Sequence, residues 1–280
     1  MMFFSTFEVR LKELVNIKKY VKNVLVNSLI NYGLLTSLII FLSMVLVKDL
    51  DLRFGFILMA SMPPAVLIVP LSKLLKGNVN ASMFSIGVLY LASLVISPFL
   101  LSIFLPVGRV ALEPFLKTLL ITILLPLFLA NLFSHINFFR KTKKYHVSII
   151  NFSVFLILYI LIGINQSIFL KDFRDLFIVS GICFARTFLS GFLILYICTW
   201  LGIGRDDSIS YMLFGSYKNL SLTAVVASLI FNERAAIPAI VGTIFEITFI
   251  PSFIILKNFI VLEDFRQANK AKEDVSQKVH

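Results

Sequence analysis

The ionisable residues that could do chemistry in this chain lie inside apolar runs. Lys218 is near the middle of the run 208–231, where the local sequence is Gly215-Ser-Tyr217-Lys218-Asn219. A lysine at the centre of a membrane-spanning helix costs roughly 2.5–3.5 kcal/mol on insertion scales, so it requires a polar environment inside the protein. We favour a binding site at an interrupted helix. The alternative is a structural lysine that pairs with a carboxylate on a neighbouring helix.

Arg186 and Glu246 are the other ionisable residues deep inside apolar runs, each about eleven residues from the start of its run. Neither can face lipid at low cost, so both are expected to face the bundle interior together with Lys218. Glu246 could carry a proton if burial favoured its neutral form, whereas a tight pair with Lys218 would keep it ionised. Both possibilities remain open at the level of the sequence.

A second interruption is predicted in the run 54–75, around the proline pair that follows Ser61. Two consecutive prolines remove two amide donors and disfavour helix before them, so this run should break near residues 61–65. The alternative is an uninterrupted, proline-kinked membrane helix. We expect this break to meet the other one, near residues 214–219, at the membrane midplane. The candidate site residues are Ser61, Pro63, Pro64, Arg186, Tyr217, Lys218, Asn219 and Glu246.

Membrane-spanning helices must hold these residues in place. Of the 280 residues, 59% are hydrophobic and 29 are Phe, whereas soluble domains are about 45–50% apolar. The sequence therefore predicts an all-α membrane protein with eight spans of about 20 residues each. We label the spans A to H: 24–47, 54–75, 81–106, 112–135, 146–170, 175–201, 208–231 and 235–256.

The net charge of +11 lies in short loops and tails, which indicates membrane orientation and not a nucleic-acid partner. With the N-terminus inside, the inner segments hold 17 Lys and Arg residues and the outer loops hold seven. Both termini are therefore predicted to be cytoplasmic, in the cell inner membrane. Residues 1–23 are predicted to form a basic amphipathic segment, and residues 257–280 a cytoplasmic tail that is polar and disordered from 261.

Enzymatic apparatus is not recognisable in the sequence. It has no Ser/His/Asp set, no phosphate loop and no metal-spaced His/Cys set, and both cysteines lie within one span. No cofactor or metal is expected. His135 and His146 are interpreted as interfacial. The remaining polar residues inside spans are interpreted as interhelical hydrogen-bond partners: Asn31, Asn131, Asn151, Asn165 and Gln166.

Spans A–B–C and F–G–H run in opposite directions, and the middle span of each triplet contains the predicted break. Inverted triplets with interrupted central helices indicate the binding site of a secondary transporter. The core would comprise residues 24–106 and 175–256, and residues 112–170 would form a scaffold panel.

Three segments carry a resemblance to the bile acid:sodium symporter superfamily. That family has Pro-Gly-Gly-Thr-Ala-Ser-Asn followed by Lys-Gly-Asp, and this chain has Pro-Pro-Ala-Val-Leu-Ile-Val at 63–69 followed by Lys-Gly-Asn at 76–78. Lys-Asn-Leu-Ser-Leu at 218–222 is similar to the family's Gln-Asn-x-x-Leu. Span H, from Ala235 to Glu246, resembles the Gly-Pro-Leu-x-Glu segment of the related arsenite carriers.

The resemblance implies a ten-span fold in which A to H correspond to the third to tenth helices. Whether a second copy or a partner subunit replaces the first two is open. The resemblance also implies a sodium site, whose ligand positions here hold Ile68, Val69, Phe214 and Lys218. The apolar side chains offer no oxygen to a hard cation. Pro64 stands in place of the cysteine of the arsenite carriers, which disfavours metalloid efflux.

The expected function is secondary transport of a small organic solute across the lipid bilayer, without sodium coupling. The positive charges of Lys218 and Arg186 favour an anion. One alternative is a non-transporting membrane receptor or assembly subunit derived from the same family. A metalloid efflux carrier and a membrane enzyme have less support in the sequence.

Overall fold

The computed structural model describes residues 20–105 and 172–277, together with single positions between 115 and 163. Every regular element in this part of the chain is helical, as predicted. The helices are α1 (Val21–Leu46), α2 (Leu50–Ser61), α3 (Ile68–Leu75), α4 (Val79–Phe104), α5 (Phe173–Trp200), α6 (Arg205–Phe214), α7 (Leu220–Ile230) and α8 (Glu233–Gln277).

Four helices of the described ranges are long and apolar enough to cross a membrane. They are α1, α4, α5 and the first part of α8, Glu233–Leu256. Each coincides with a predicted span: A, C, F and H. Spans D and E lie mostly outside the described residues, so the eight-span count and the inverted repeat stay predictions.

Spans B and G are each two short helices, which confirms that both are interrupted. The first interruption is Met62–Leu67, between α2 and α3, and the second is Gly215–Asn219, between α6 and α7. Met62 is extended, with φ −68° and ψ 154°, because a residue that precedes proline is excluded from the helical region. An uninterrupted, kinked span B is therefore wrong.

Two π turns divide the long helices α1 and α5. They cover Leu29–Leu35 and Ala185–Leu189. A π turn takes one more residue than an α turn, so it shifts the register of the side chains that follow it. Each π turn lies near the middle of the long helix that comes directly before an interrupted span.

Helix α8 packs against α2, α5 and α7 in the interior of the bundle. The contact with α2 is close at Gly55, where a Cβ atom would lie 2.1 Å from the carbonyl oxygen of Ala235. Only glycine fits there, because the obstacle is backbone and cannot move aside. This approach places α2 directly against the beginning of α8.

At one end of the bundle, Arg234 joins three segments through ion pairs. Its Nε lies 2.9 Å from Asp49, its Nη1 2.8 Å from Asp172 and its Nη2 2.9 Å from Asp175. The three carboxylates belong to the α1–α2 connection and to the start of α5. One guanidinium thus ties the beginning of α8 to two other parts of the chain.

The C-terminal segment differs from the prediction. Helix α8 continues through Gln277, so a disordered tail is wrong for residues 261–277. The sequence contains no Gly or Pro after Pro251 and is rich in Lys, Glu, Gln and Ala, so nothing in it stops the helix. The predicted amphipathic segment before residue 20, the two interfacial histidines and the polar residues predicted at 131, 151, 165 and 166 lie outside the described residues.

Candidate functional site

The two interruptions contact each other directly, as predicted, and we call Met62–Leu67 and Gly215–Asn219 together the crossing. The amide nitrogen of Asn219 donates a hydrogen bond to the carbonyl oxygen of Pro63 at 2.8 Å. The Asn219 side chain also accepts from the amide of Leu222 at 3.1 Å, which caps the first turn of α7. Its Nδ2 donates to the hydroxyl of Tyr90 on α4 at 2.6 Å.

The Lys218 ammonium connects the second interruption to the first and to α1. Its Nζ donates to Thr36 Oγ1 and to the carbonyl oxygen of Met62, both at 3.0 Å. It also lies 4.4 Å from the centre of the Tyr32 ring, within the range of a cation–π interaction. The side chain is fully buried, so these three contacts replace its hydration.

The alternative in which Lys218 pairs with a carboxylate is wrong for the described residues. Within the described ranges no carboxylate lies within ion-pair distance of the ammonium. Glu246 instead accepts from the backbone amide of Lys218 at 3.0 Å. The backbone between Tyr217 and Asn219 is not helical, so the amide and the side chain of Lys218 point to different neighbours.

Arg186 and Glu246 form a buried ion pair, which confirms that they face the interior and each other. Arg186 Nη2 lies 2.9 Å from Glu246 Oε1, and the guanidinium also approaches the carbonyl oxygens of Ser216 and Gly242, each at 3.4 Å. Glu246 Oε1 therefore accepts hydrogen bonds both from the Arg186 guanidinium and from the backbone amide of Lys218. The hydroxyl of Tyr217 donates to the Glu246 carbonyl oxygen at 2.8 Å.

Helix α1 supplies two further side chains to the crossing. Asn31 Nδ2 donates to the carbonyl oxygens of Phe214 and Tyr217, at 2.7 Å and 3.2 Å. This confirms its interpretation as an interhelical hydrogen-bond partner. Thr36 Oγ1 donates to the carbonyl oxygen of Ala60 at 2.7 Å, near the end of α2. Sequence reasoning missed Thr36. The only signal was the pair of hydroxyl residues Thr36-Ser37 in an apolar stretch, and such a pair is too common in membrane helices to select Thr36.

The remaining predicted residues shape the crossing without offering free polar groups. Ser61 Oγ donates to the carbonyl oxygen of Leu58, and the carbonyl oxygen of Ser61 accepts from Ser97 at 2.7 Å. Pro64 is buried and contributes by removing an amide donor. All eight predicted residues therefore lie at the crossing or in direct contact with it.

The positions that carry sodium ligands in the resembling family are apolar and buried here. Ile68, Val69 and Phe214 are 0%, 3% and 0% exposed. The charges at the crossing are two cations, Lys218 and Arg186, and one carboxylate, Glu246. The buried charge is therefore +1 when all three groups are ionised, in a part of the molecule where uncompensated charge is costly.

Comparison with known proteins agrees with this architecture. One relative is the uncharacterized protein YbaS of Bacillus subtilis, 27% identical over 201 residues, which are 69% of this chain and 64% of that protein. The match thus spans less than two thirds of the length of YbaS. A family profile, the SBF-like CPA transporter family, matches residues 1–260. The chain belongs to this family of membrane transporters and is an integral membrane protein.

Proposed function

We propose that the protein is a secondary transporter of a small organic anion, with the crossing as its solute site and without sodium coupling. The observation that carries the proposal is the burial of two basic side chains, Lys218 and Arg186, with one carboxylate, Glu246, which leaves one positive charge in excess when all three groups are ionised. An anion that enters the crossing neutralises this excess charge, which hydrocarbon cannot solvate. Arg186 Nε has no hydrogen-bond partner, so the guanidinium keeps one donor for an incoming anion.

Sodium independence is supported by the position of the ammonium. Lys218 Nζ already holds the Thr36 hydroxyl and the Met62 carbonyl oxygen, and hydroxyl and carbonyl oxygens are what a sodium ion would need. A sodium ion 4 Å from the ammonium would be repelled by about 4 kcal/mol at an effective dielectric constant of 20. Coupling would then pass to protons through Glu246, or transport would be facilitated diffusion.

The inverted repeat is supported by the two π turns. Both α1 and α5 contain one near the middle, and each of these helices comes directly before an interrupted pair. This correspondence favours a core made of A–B–C and F–G–H that moves against the scaffold panel. The excess of Lys and Arg in the inner segments supports cytoplasmic termini.

A non-transporting receptor or assembly subunit is the second candidate, and one observation favours it. The Lys218 ammonium is fully buried and engaged by Thr36, Met62 and the ring of Tyr32. An ammonium with all its donors engaged is suited to holding the two interruptions together. In this candidate the crossing is a permanent joint of the core.

Transport by the purified protein in proteoliposomes tests both candidates. Exchange of small mono- and dicarboxylates is measured with sodium and with choline as the only added monovalent cation, for the unmodified protein and for Lys218→Gln. Lys73→Gln is the matched control, because Lys73 is an exposed lysine on α3. We expect uptake to be equal in the two salts and to fall at least about tenfold in Lys218→Gln, the loss expected from about 1.4 kcal/mol of lost charge interaction.

The outcomes separate the candidates. Several-fold stimulation by sodium overturns the sodium-independent mechanism. If folded protein exchanges none of the carboxylates, the anion-transporter proposal fails and the receptor candidate gains support. If Lys218→Gln and Lys73→Gln are equally active, the charge at the crossing is not the solute-binding element.

A further inference from the structure

Polar residues recur along one face of α1, at Asn23, Asn27, Asn31 and Thr36. The first three are four residues apart, which keeps them on one helix face. The last step is five residues, and in a regular α-helix it would turn Thr36 away from that face. The π turn Leu29–Leu35 accommodates the extra residue and so keeps Thr36 on the same face. Accordingly, Thr36 Oγ1 lies 3.1 Å from the carbonyl oxygen of Asn31.

This face meets polar groups of α6 and α4 along its length. Asn23 Nδ2 donates to Asp207 Oδ1 at 2.7 Å and to the hydroxyl of Tyr211 at 3.2 Å. One turn further, Asn27 Nδ2 donates to Ser85 Oγ on α4 at 2.8 Å. Asn31 then reaches the carbonyl oxygens of the second interruption. We call the three asparagines, Thr36 and their partners on α4 and α6 the seam.

The seam passes from the surface of the bundle to its centre. Asn23 and Asp207 are partly exposed, whereas Asn27 and Asn31 are fully buried. The inner end of the seam is Thr36, which contacts the Lys218 ammonium. Polar groups therefore connect the end of the bundle that carries Asp207 with the crossing.

Two buried oxygens of the seam have no hydrogen-bond partner: Asn27 Oδ1 and Asn31 Oδ1. The Asn31 amide cannot be flipped to solve this, because its Nδ2 already donates to two carbonyl oxygens. A buried polar atom without a partner costs about 1–3 kcal/mol, and hydrocarbon offers nothing to relieve it. Both oxygens are acceptors, so the missing partner is a hydrogen-bond donor.

We propose that the seam binds a short file of water molecules that leads from the Asp207 end of the bundle to the crossing. Water supplies two donors per molecule, and the oxygens that Asn27 and Asn31 contact, Ser85 Oγ and the carbonyl oxygens of Phe214 and Tyr217, are further partners of the kind that a buried water needs. A cation is disfavoured, because the Lys218 ammonium stands at the inner end. The proposal concerns access to the crossing and is independent of which solute, if any, is carried.

Cysteine accessibility tests the proposal in a background with Cys183→Ala and Cys198→Ala. A charged methanethiosulfonate reacts with the thiolate, which needs water to form. Ser85→Cys places the thiol in the seam. Ser43→Cys is the control, since Ser43 is a fully buried serine on α1 that donates to the carbonyl oxygen of Ile40 in its own helix and lies outside the seam. We expect Ser85→Cys to react roughly tenfold faster or more, because only its thiol meets water.

A second variant tests the water file itself and keeps the result independent of any one substitution. Asn27→Leu, added to Ser85→Cys, fills the seam with an apolar side chain of similar size and should reduce the rate to that of Ser43→Cys. Equal rates for the two cysteines overturn the proposal, as does a rate that Asn27→Leu leaves unchanged. Protection of Ser85→Cys by sodium or potassium at constant ionic strength also overturns it, because the seam would then hold a cation.

Discussion

Each interruption frees backbone polar groups from their helical hydrogen bonds, and the two interruptions deal with these groups in opposite ways. Between α2 and α3, two prolines remove amide donors, and the amide of Ile68, the first residue of α3, bonds locally to the carbonyl oxygen of Ala65 at 3.1 Å. The start of α3 has no side-chain cap. Between α6 and α7, by contrast, consecutive residues bond to distant helices. Lys218 reaches α1, the first interruption and α8, and Asn219 reaches α4 and caps α7.

A helix can therefore be broken inside a membrane by reducing the number of polar groups or by providing partners for them. The first route is local and rests on residue types near the break. The second rests on side chains far away in the sequence, so a single substitution can undo it. The stability of the core should accordingly depend much more on the second interruption than on the first.

Glu246→Gln should have the largest effect. It leaves the buried Arg186 guanidinium without a compensating charge, and breaking one side of a buried ion pair costs about 3–5 kcal/mol. The measurement is the free energy of unfolding by denaturant titration in mixed micelles. Asp175→Asn is the control, because its ion pair with Arg234 is partly exposed and should be worth less than about 1 kcal/mol. Equal losses in the two variants would show that the buried pair does not support the second interruption.

Asn219→Ala should have an intermediate effect. It removes the cap of α7 and the hydrogen bond to Tyr90, which together should cost about 1–3 kcal/mol. The same titration measures the loss, and the double variant with Tyr90→Phe separates the two contributions. If the double variant costs as much as the two single variants added together, Asn219 and Tyr90 do not interact and the cap alone holds this end of the second interruption.

Leu67→Ala is the equivalent truncation at the first interruption and should have the smallest effect. Leu67 stands at the cap position of α3, makes no side-chain hydrogen bond there and is 36% exposed. We expect a loss of less than about 1 kcal/mol. A loss as large as that of Asn219→Ala would contradict the contrast between a local and a long-range solution.

The sequence was sufficient to locate the breaks, because Pro63-Pro64 and Gly215-Ser216 act locally on the backbone. It also identified the buried charged residues, since a charged side chain inside an apolar run must face the interior of the bundle or a water-filled cavity. It did not predict which groups Lys218 contacts. That choice depends on the direction of a non-helical backbone and on α1, 182 residues away. The π turns carried no compositional signal, because their residues resemble those of the helices around them.

The Arg234 cluster has a consequence for the order in which the chain assembles. Asp49, Asp172 and Asp175 are synthesised before residue 234, so none of them can find this guanidinium until the start of α8 has been made. Until then, three negative charges stand at one end of the bundle without their counter-charge. The arrival of α8 neutralises part of that repulsion and, through Glu246, supplies the counter-charge for Arg186 as well. Helix α8 leaves the ribosome after α1, α4 and α5, and it is the helix that completes the charge balance at the bundle end and at its centre.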